Sequence, residues 1–115
     1  MAMKRVLAAH LLPVLLLTTT AHAAMDQPCV AQAVVKAGPL LRFHNDLKAT
    51  DPVDIEPDAK LLPPVKALKG KGSFDVLEVT GHYIKATYRM RFIYAQVKGS
   101  CVLMGQEILE VGDPY

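Results

Sequence analysis

The stretch "ATYRMRFIYAQVKGSC" (residues 86–101) carries the clearest secondary-structure signal in the chain. Apolar and polar side chains alternate along it, and the alternation ends at Lys98-Gly99, a dipeptide suited to a tight turn. Two similar runs flank it, "FDVLEV" and "CVLMGQEILEV", and Thr80-Gly81 separates the first of them from the central run. We therefore predict an antiparallel meander over residues 74–111, with turns at Thr80-Gly81 and Lys98-Gly99.

Successive side chains of the central strand point to opposite faces of a sheet. The predicted apolar face holds Ile84, Ala86, Tyr88, Met90, Phe92 and Tyr94. The predicted polar face holds Lys85, Thr87, Arg89 and Arg91. Because the aromatic and arginine side chains lie on opposite faces, they cannot together stack a base and bind its phosphate. We therefore expect no nucleic-acid binding.

The N-terminus has the order of a secretory signal peptide. Lys4 and Arg5 precede the apolar run "VLAAHLLPVLLL" and the small-residue ending "TTTAHAA", which predicts cleavage after Ala23. The apolar run is shorter than the roughly 20 residues that span a bilayer and is interrupted by Pro13, so we expect no stable membrane insertion after cleavage. The sequence thus predicts a signal peptide over residues 1–23 and a periplasmic or secreted protein.

Removal of residues 1–23 from the 115-residue chain leaves 92 residues (24–115), which is the size of one small domain. Of the 13 basic residues, Lys4 and Arg5 are lost, so 11 remain against 11 acidic residues. The mature protein is formally neutral and lacks the overall basic charge that phosphate binding requires. A domain of this size buries only about 60–65% of its unfolded surface, so a covalent cross-link would help to stabilise it.

Cys29 and Cys101, the two cysteines of the chain, predict this cross-link. An even pair in an exported protein usually forms a disulfide, and closing so long a loop stabilises the fold by roughly 4 kcal/mol in the chain-entropy model. Neither cysteine belongs to a C-x-x-C motif or has a histidine close by in sequence. We therefore expect no redox-active pair, no metal site and no cofactor.

The segment "DQPCVAQAVVKAGP" predicts a short amphipathic helix, with Asp26 or Gln27 as the cap, Pro28 in the first turn and Gly38-Pro39 as the stop. Prolines then interrupt any regular spacing of apolar residues, so we interpret residues 39–69 as a proline-rich connecting segment. Within it, "LLRFHN" predicts a short strand, and "KLLPPVKAL" an extended or single-turn segment.

Together these elements predict an α+β domain: a short N-terminal helix packed on one face of a three- to four-stranded antiparallel meander and joined to it by a disulfide. A turn at Lys98-Gly99 places Cys101 opposite Gln96 on the apolar face, where the helix brings Cys29. The same register points Glu107 into that face opposite Met90, so either that end of the sheet is open to water or a bulge near Gly105-Gln106 changes the register. The order of helix and meander resembles, in outline, cystatin-like and related inhibitor or binding modules, and an outline carries no function.

The polar face of the sheet also carries apolar side chains, and it has two interpretations. In the first, leucines, Phe43, Val53 and Ile55 of the connecting segment cover its apolar part, while Arg89 pairs diagonally with Glu110 across strands. In the second, it is a surface for another protein or for a second copy of the chain. The candidate partner surface consists of Arg89, Arg91, Ile93, Met104 and Ile108.

Signals for catalysis are weak. His44 and His82 are the only histidines after residue 23, and Ser73 and Ser100 lie in predicted turns without the motif of a nucleophilic serine. The acidic run "DPVDIEPD" lacks the glycine and the final glutamate of a calcium loop. We therefore predict an exported, non-catalytic protein-binding or accessory protein of the inhibitor, immunity or envelope-associated type. The alternative is a small secreted hydrolase or ligand-binding pocket protein that uses His44 or His82.

Overall fold

The computed structural model describes residues 27–112, together with Ala9 and Pro13. Its elements in chain order are α1 (Val30–His44), β1 (Asp54–Lys66), β2 (Ser73–Tyr83), β3 (Ala86–Val97) and β4 (Ser100–Glu110). The four strands form one antiparallel sheet in the order β1-β2-β3-β4. The predicted α+β meander is confirmed, and it has four strands. The predicted signal peptide lies outside the described residues, apart from Ala9 and Pro13.

The core lies between α1 and one face of the sheet. Cys29, Ala33, Ala37 and Leu41 recur at the spacing of one helical face, and all four are fully buried. The helix has Cys29 as its N-cap and no side-chain cap, so the predicted cap at Gln27 is wrong, and Pro28 precedes the helix rather than lying in its first turn. Gln27 Oε1 instead accepts a hydrogen bond of 2.7 Å from the Cys29 backbone N–H. Asp26, the other predicted cap, lies outside the described residues. Within residues 27–112, no helix is both long enough and apolar enough to cross a membrane.

The predicted end of the helix at Gly38-Pro39 is wrong, because α1 continues to His44. Proline inside a helix costs about 3 kcal/mol through its missing N–H and its ring. The added turn gains the complete burial of Leu41, worth roughly 1.5–3 kcal/mol. Arg42 adds a tertiary contact, since its Nε donates to the Asp51 carbonyl at 2.8 Å. Residues 40–44 are therefore helical, and the predicted strand "LLRFHN" is also wrong.

The connecting segment predicted over residues 39–69 is corrected as well, because residues 54–66 form the edge strand β1. The pairing of β1 with β2 is irregular between Ile55 and Ala59 and again between Leu62 and Val65. Prolines 57, 63 and 64 lie in these two irregular stretches, where a missing N–H interrupts no regular ladder. The extended interpretation of "KLLPPVKAL" is confirmed for the part within β1.

The turn between β2 and β3 falls at Ile84-Lys85, so the prediction of Thr80-Gly81 is wrong. Gly81 is buried inside β2, and Ile84 is 81% exposed in the turn rather than on the apolar face. The other turn is confirmed, with positive φ at Lys98 (52°) and Gly99 (78°). Four of the predicted apolar-face residues are buried in the core, namely Tyr88, Met90, Phe92 and Tyr94.

A bulge interrupts the pairing of β3 with β4 at Met104, close to the predicted position. Cys101 lies opposite Gln96 as predicted, but after the bulge Glu107 lies opposite Arg91 and Ile108 opposite Met90. One extra residue in a strand moves every later residue of that strand to the opposite face of the sheet. The bulge thus removes Glu107 from the core side and packs Ile108 against the core instead. Ile108 therefore does not belong to the predicted partner surface.

The predicted disulfide joins Cys29, at the start of α1, to Cys101, at the start of β4, with a Cα–Cα distance of 5.5 Å. It links the helix to the edge of the sheet that lies farthest from β1.

Candidate binding face

Among the described residues, the sheet has one covered and one uncovered face. α1 packs on the first, and within residues 27–112 no helix or strand lies on the second, which we call the open face. Val53 and Ile55 pack on the covered side and Phe43 is 82% exposed, so the connecting segment does not cover the open face. The sequence allowed either a covering by the connecting segment or a surface for a partner. The structure excludes the covering by the connecting segment.

An apolar row crosses the open face from edge to edge. Leu62 of β1 lies opposite Val76 of β2, Val76 opposite Ile93 of β3, and Ile93 opposite Gly105 of β4. Val76 is only 4% exposed, although it lies on this face. Beyond Gly105, Met104 is 54% exposed at the bulge. The row ends there in an accessible apolar side chain.

A row of alternating charge runs beside the apolar row. Lys60 lies opposite Glu78, Glu78 opposite Arg91, and Arg91 opposite Glu107. Arg91 donates from Nε to Glu78 at 3.0 Å and from Nη1 to Glu107 at 3.2 Å. The hydrogen bond to Glu78 is the main cause that raises the pKa of Arg91 above its ordinary value, with Glu107 acting in the same direction and desolvation opposing both. The guanidinium of Arg91 is thus held by its own sheet.

Arg89 is the more accessible arginine of this face. Its Nε lies 3.9 Å from Glu78, and its side chain is 52% exposed. It lies opposite Leu109 and approaches Glu78, whereas the sequence predicted a pair with Glu110. An exposed ion pair at this distance contributes little to stability, so the guanidinium is available to another molecule.

Of the five residues predicted for the partner surface, the structure brings three together on the open face, namely Arg89, Arg91 and Ile93. Met104 lies next to Gly105 at the bulge and is exposed. Leu62 was missed, because the prolines that follow it obscured the alternation of a strand. Its neighbour Leu61 and the later Val65 were the remaining signs of an extended segment.

The two histidines lie apart from these rows. His82 Nδ1 is 3.0 Å from Thr87 Oγ1, and its Nε2 is 3.3 Å from Glu56 Oε1. His44 lies edge-on to the Tyr88 ring, with 5.5 Å between the ring centroids. Carboxylate, imidazole and hydroxyl therefore form a chain around His82, but the side chains of His82 and Glu56 are 36% and 52% exposed. This chain lies at an open surface, where water competes for each hydrogen bond.

Three pockets on the described residues lie elsewhere, and neither histidine lines any of them. The first is a groove between α1 and β4, lined by Val35, Lys36, Pro39, Leu40, Phe43 and Gln106. The second follows the C-terminal end of α1, and the third surrounds the β1–β2 loop. Within residues 27–112, no group of three or more His, Cys, Asp or Glu side chains is placed to hold a metal ion.

No protein-family model, no curated protein and no solved structure matches this chain significantly.

Proposed function

We propose that the protein is an exported, non-catalytic binding protein whose open face contacts another protein. The observation that carries this proposal is the uncovered apolar row beside the row of charges. Apolar surface edged by polar groups is typical of protein interfaces. The open face lies on a four-stranded sheet, so its backbone is already ordered before a partner binds.

Two features support export. The Cys29–Cys101 disulfide is of the kind that persists in oxidising compartments such as the periplasm or the extracellular space. The order of charge, apolar run and small residues before Ala24 predicts a signal peptide. Together they favour a periplasmic or secreted protein.

The charges of the open face narrow the chemistry of the partner. Arg91 already donates hydrogen bonds from Nε to Glu78 and from Nη1 to Glu107. Its single Nε hydrogen is therefore not available to a partner. Arg89 is half-exposed on the far side of the charge row from the apolar row, and it can pair with a carboxylate of a partner. We therefore propose a partner surface with an apolar centre and an acidic residue at its rim.

The test is site-specific cross-linking in the cells that produce the protein. A photoreactive residue at Met104 should capture a discrete partner, whereas the same residue at Leu68, which is fully exposed in the β1–β2 loop, should not. Arg89→Glu should then reduce the yield at Met104. Equal capture from both positions, or none from either, would overturn the proposal. Arg91 is left intact in this test, because its loss would leave Glu78 and Glu107 without their shared cation.

The alternative is a small hydrolase that uses His82, and the Glu56–His82–Thr87 chain supports it. Such an enzyme would need a substrate pocket beside the imidazole. The experiment is a comparison of the protein with His82→Ala on ester and peptide substrates. We expect no turnover that depends on His82, and turnover lost in His82→Ala would favour the alternative.

A further inference from the structure

We infer that β4 pairs antiparallel with β4 of a second copy of this chain, forming a two-fold dimer with one continuous eight-stranded sheet. This contact uses the edge of the sheet and the flank of α1. It goes beyond the proposed function, because the open face stays available in both copies.

The two edges of the sheet differ in their ability to pair. β1 contains prolines 57, 63 and 64 and two irregular stretches, features that prevent the addition of another strand. β4 contains no proline over its 11 residues, and Ser100–Gln106 carries no charge. Since each copy has one open edge and one blocked edge, pairing stops at two copies.

Within residues 27–112, no other strand pairs with the outer edge of β4. The two-residue turn makes Val97 and Ser100 a hydrogen-bonded pair, so the alternation of an antiparallel ladder turns the N–H groups of Cys101 and Leu103 outward. After the bulge, the Val111 N–H donates to the Thr87 carbonyl at 2.8 Å. Counting back from Val111, the N–H groups of Glu110, Ile108 and Gln106 also point outward.

The charges at the two ends of β4 favour the antiparallel arrangement. Lys98 precedes the strand, and Glu110 ends it. An antiparallel two-fold pair brings Lys98 of one copy beside Glu110 of the other, whereas a parallel pair would bring like charges together.

The flank of α1 supplies apolar surface next to the same edge. Val35 and Phe43 are 75% and 82% exposed, and with Pro39 and Leu40 they line the groove that reaches Gln106 of β4. In the proposed dimer both helices lie on one face of the continuous sheet, one on each side of the seam. The two flanks then face each other and bury these side chains.

The experiment measures the mass in solution, by sedimentation, of the protein obtained after expression of the full chain in an exporting host. We expect a dimer in which the backbone amides of Leu103, Gln106 and Ile108 exchange slowly with solvent. Gln106→Pro should give a folded monomer, because the Gln106 N–H points to the edge and not to β3. Gln106→Thr, which keeps the N–H, is the matched control and should remain dimeric.

A charge exchange tests the arrangement of the strands. Lys98→Glu and Glu110→Lys should each weaken the dimer severalfold, and the double variant should restore it. A protein that is monomeric at all concentrations would overturn the inference, as would a dimer that persists in Gln106→Pro. A dimer lost in Arg89→Glu but kept in Gln106→Pro would place the contact on the open face instead. Partner capture from Met104 is a separate readout, so either proposal can fail without the other.

Discussion

Leu41 of α1 lies directly on the backbone of β2 at Gly81, where an added β carbon would come within 3.0 Å of Leu41 Cδ2. The same β carbon would lie 2.8 Å from Met90 Cε. This close approach favours a residue without a side chain in the middle of the strand. It also explains why α1 continues past Pro39, since the contact lies in the turn that follows the proline.

Gly81→Ala is therefore expected to destabilise the protein by about 1–3 kcal/mol, as overpacking of a core does. The ends of Leu41, Ile55 and Met90 would all have to move to admit the methyl group. Gly72→Ala is the matched control, because its β carbon would lie 3.9 Å from its nearest neighbour, Ala67 Cβ. Urea denaturation measures both changes. Equal stabilities of the two variants would contradict the close contact between α1 and β2.

Two buried tyrosines should respond in opposite directions to the loss of their hydroxyl groups. Tyr94 Oη is buried and has no hydrogen-bond partner within residues 27–112, so Tyr94→Phe should stabilise the protein by about 1–3 kcal/mol. Tyr88 Oη donates to Asn45 Oδ1 at 3.1 Å, so Tyr88→Phe should cost about 1 kcal/mol. Thermal or chemical denaturation of the two variants decides this. A loss of stability in Tyr94→Phe would show that its hydroxyl is hydrogen-bonded in solution.

The same burial predicts a dependence on alkaline pH. Desolvation raises the pKa of Tyr94 above its ordinary value of 10.0. Above pH 10.0 the unfolded chain loses the phenol proton while the folded protein keeps it, so stability should fall as the pH rises through this range. Tyr94→Phe should show a smaller fall. Denaturation curves recorded from neutral pH upward measure it, and identical slopes in both proteins would contradict the prediction.

The disulfide should be required for most of the stability. Cys101→Ser is expected to cost about 2–5 kcal/mol, as the loss of a native disulfide does in small domains. Reduction of the unmodified protein should have the same effect, which serves as the control. Intact mass under non-reducing conditions reports the bond directly. Two free thiols in the exported protein would contradict both the structure and the proposed compartment.

The fold class could be predicted because its signals are local. Alternation along β3, the turn at Lys98-Gly99 and the pair of cysteines each depend on few residues, and all three are present in the structure. The partner surface could be predicted only in part. Arg89, Arg91 and Ile93 share a face as expected, but the places of Met104 and Ile108 depended on a bulge whose exact position the alternation did not reveal.

The sequence by itself determined the meander, its disulfide and the face on which each β3 side chain lies, because period-two alternation and the preferences of turn residues act over short distances. Only the tertiary structure decided the length of α1, the strand at residues 54–66 and the turn at Ile84-Lys85. In each of these places a local signal from proline or glycine was outweighed. The burial of Leu41 against Gly81 and the pairing of β1 with β2 contribute contacts between residues far apart in the chain, and no local pattern reports them.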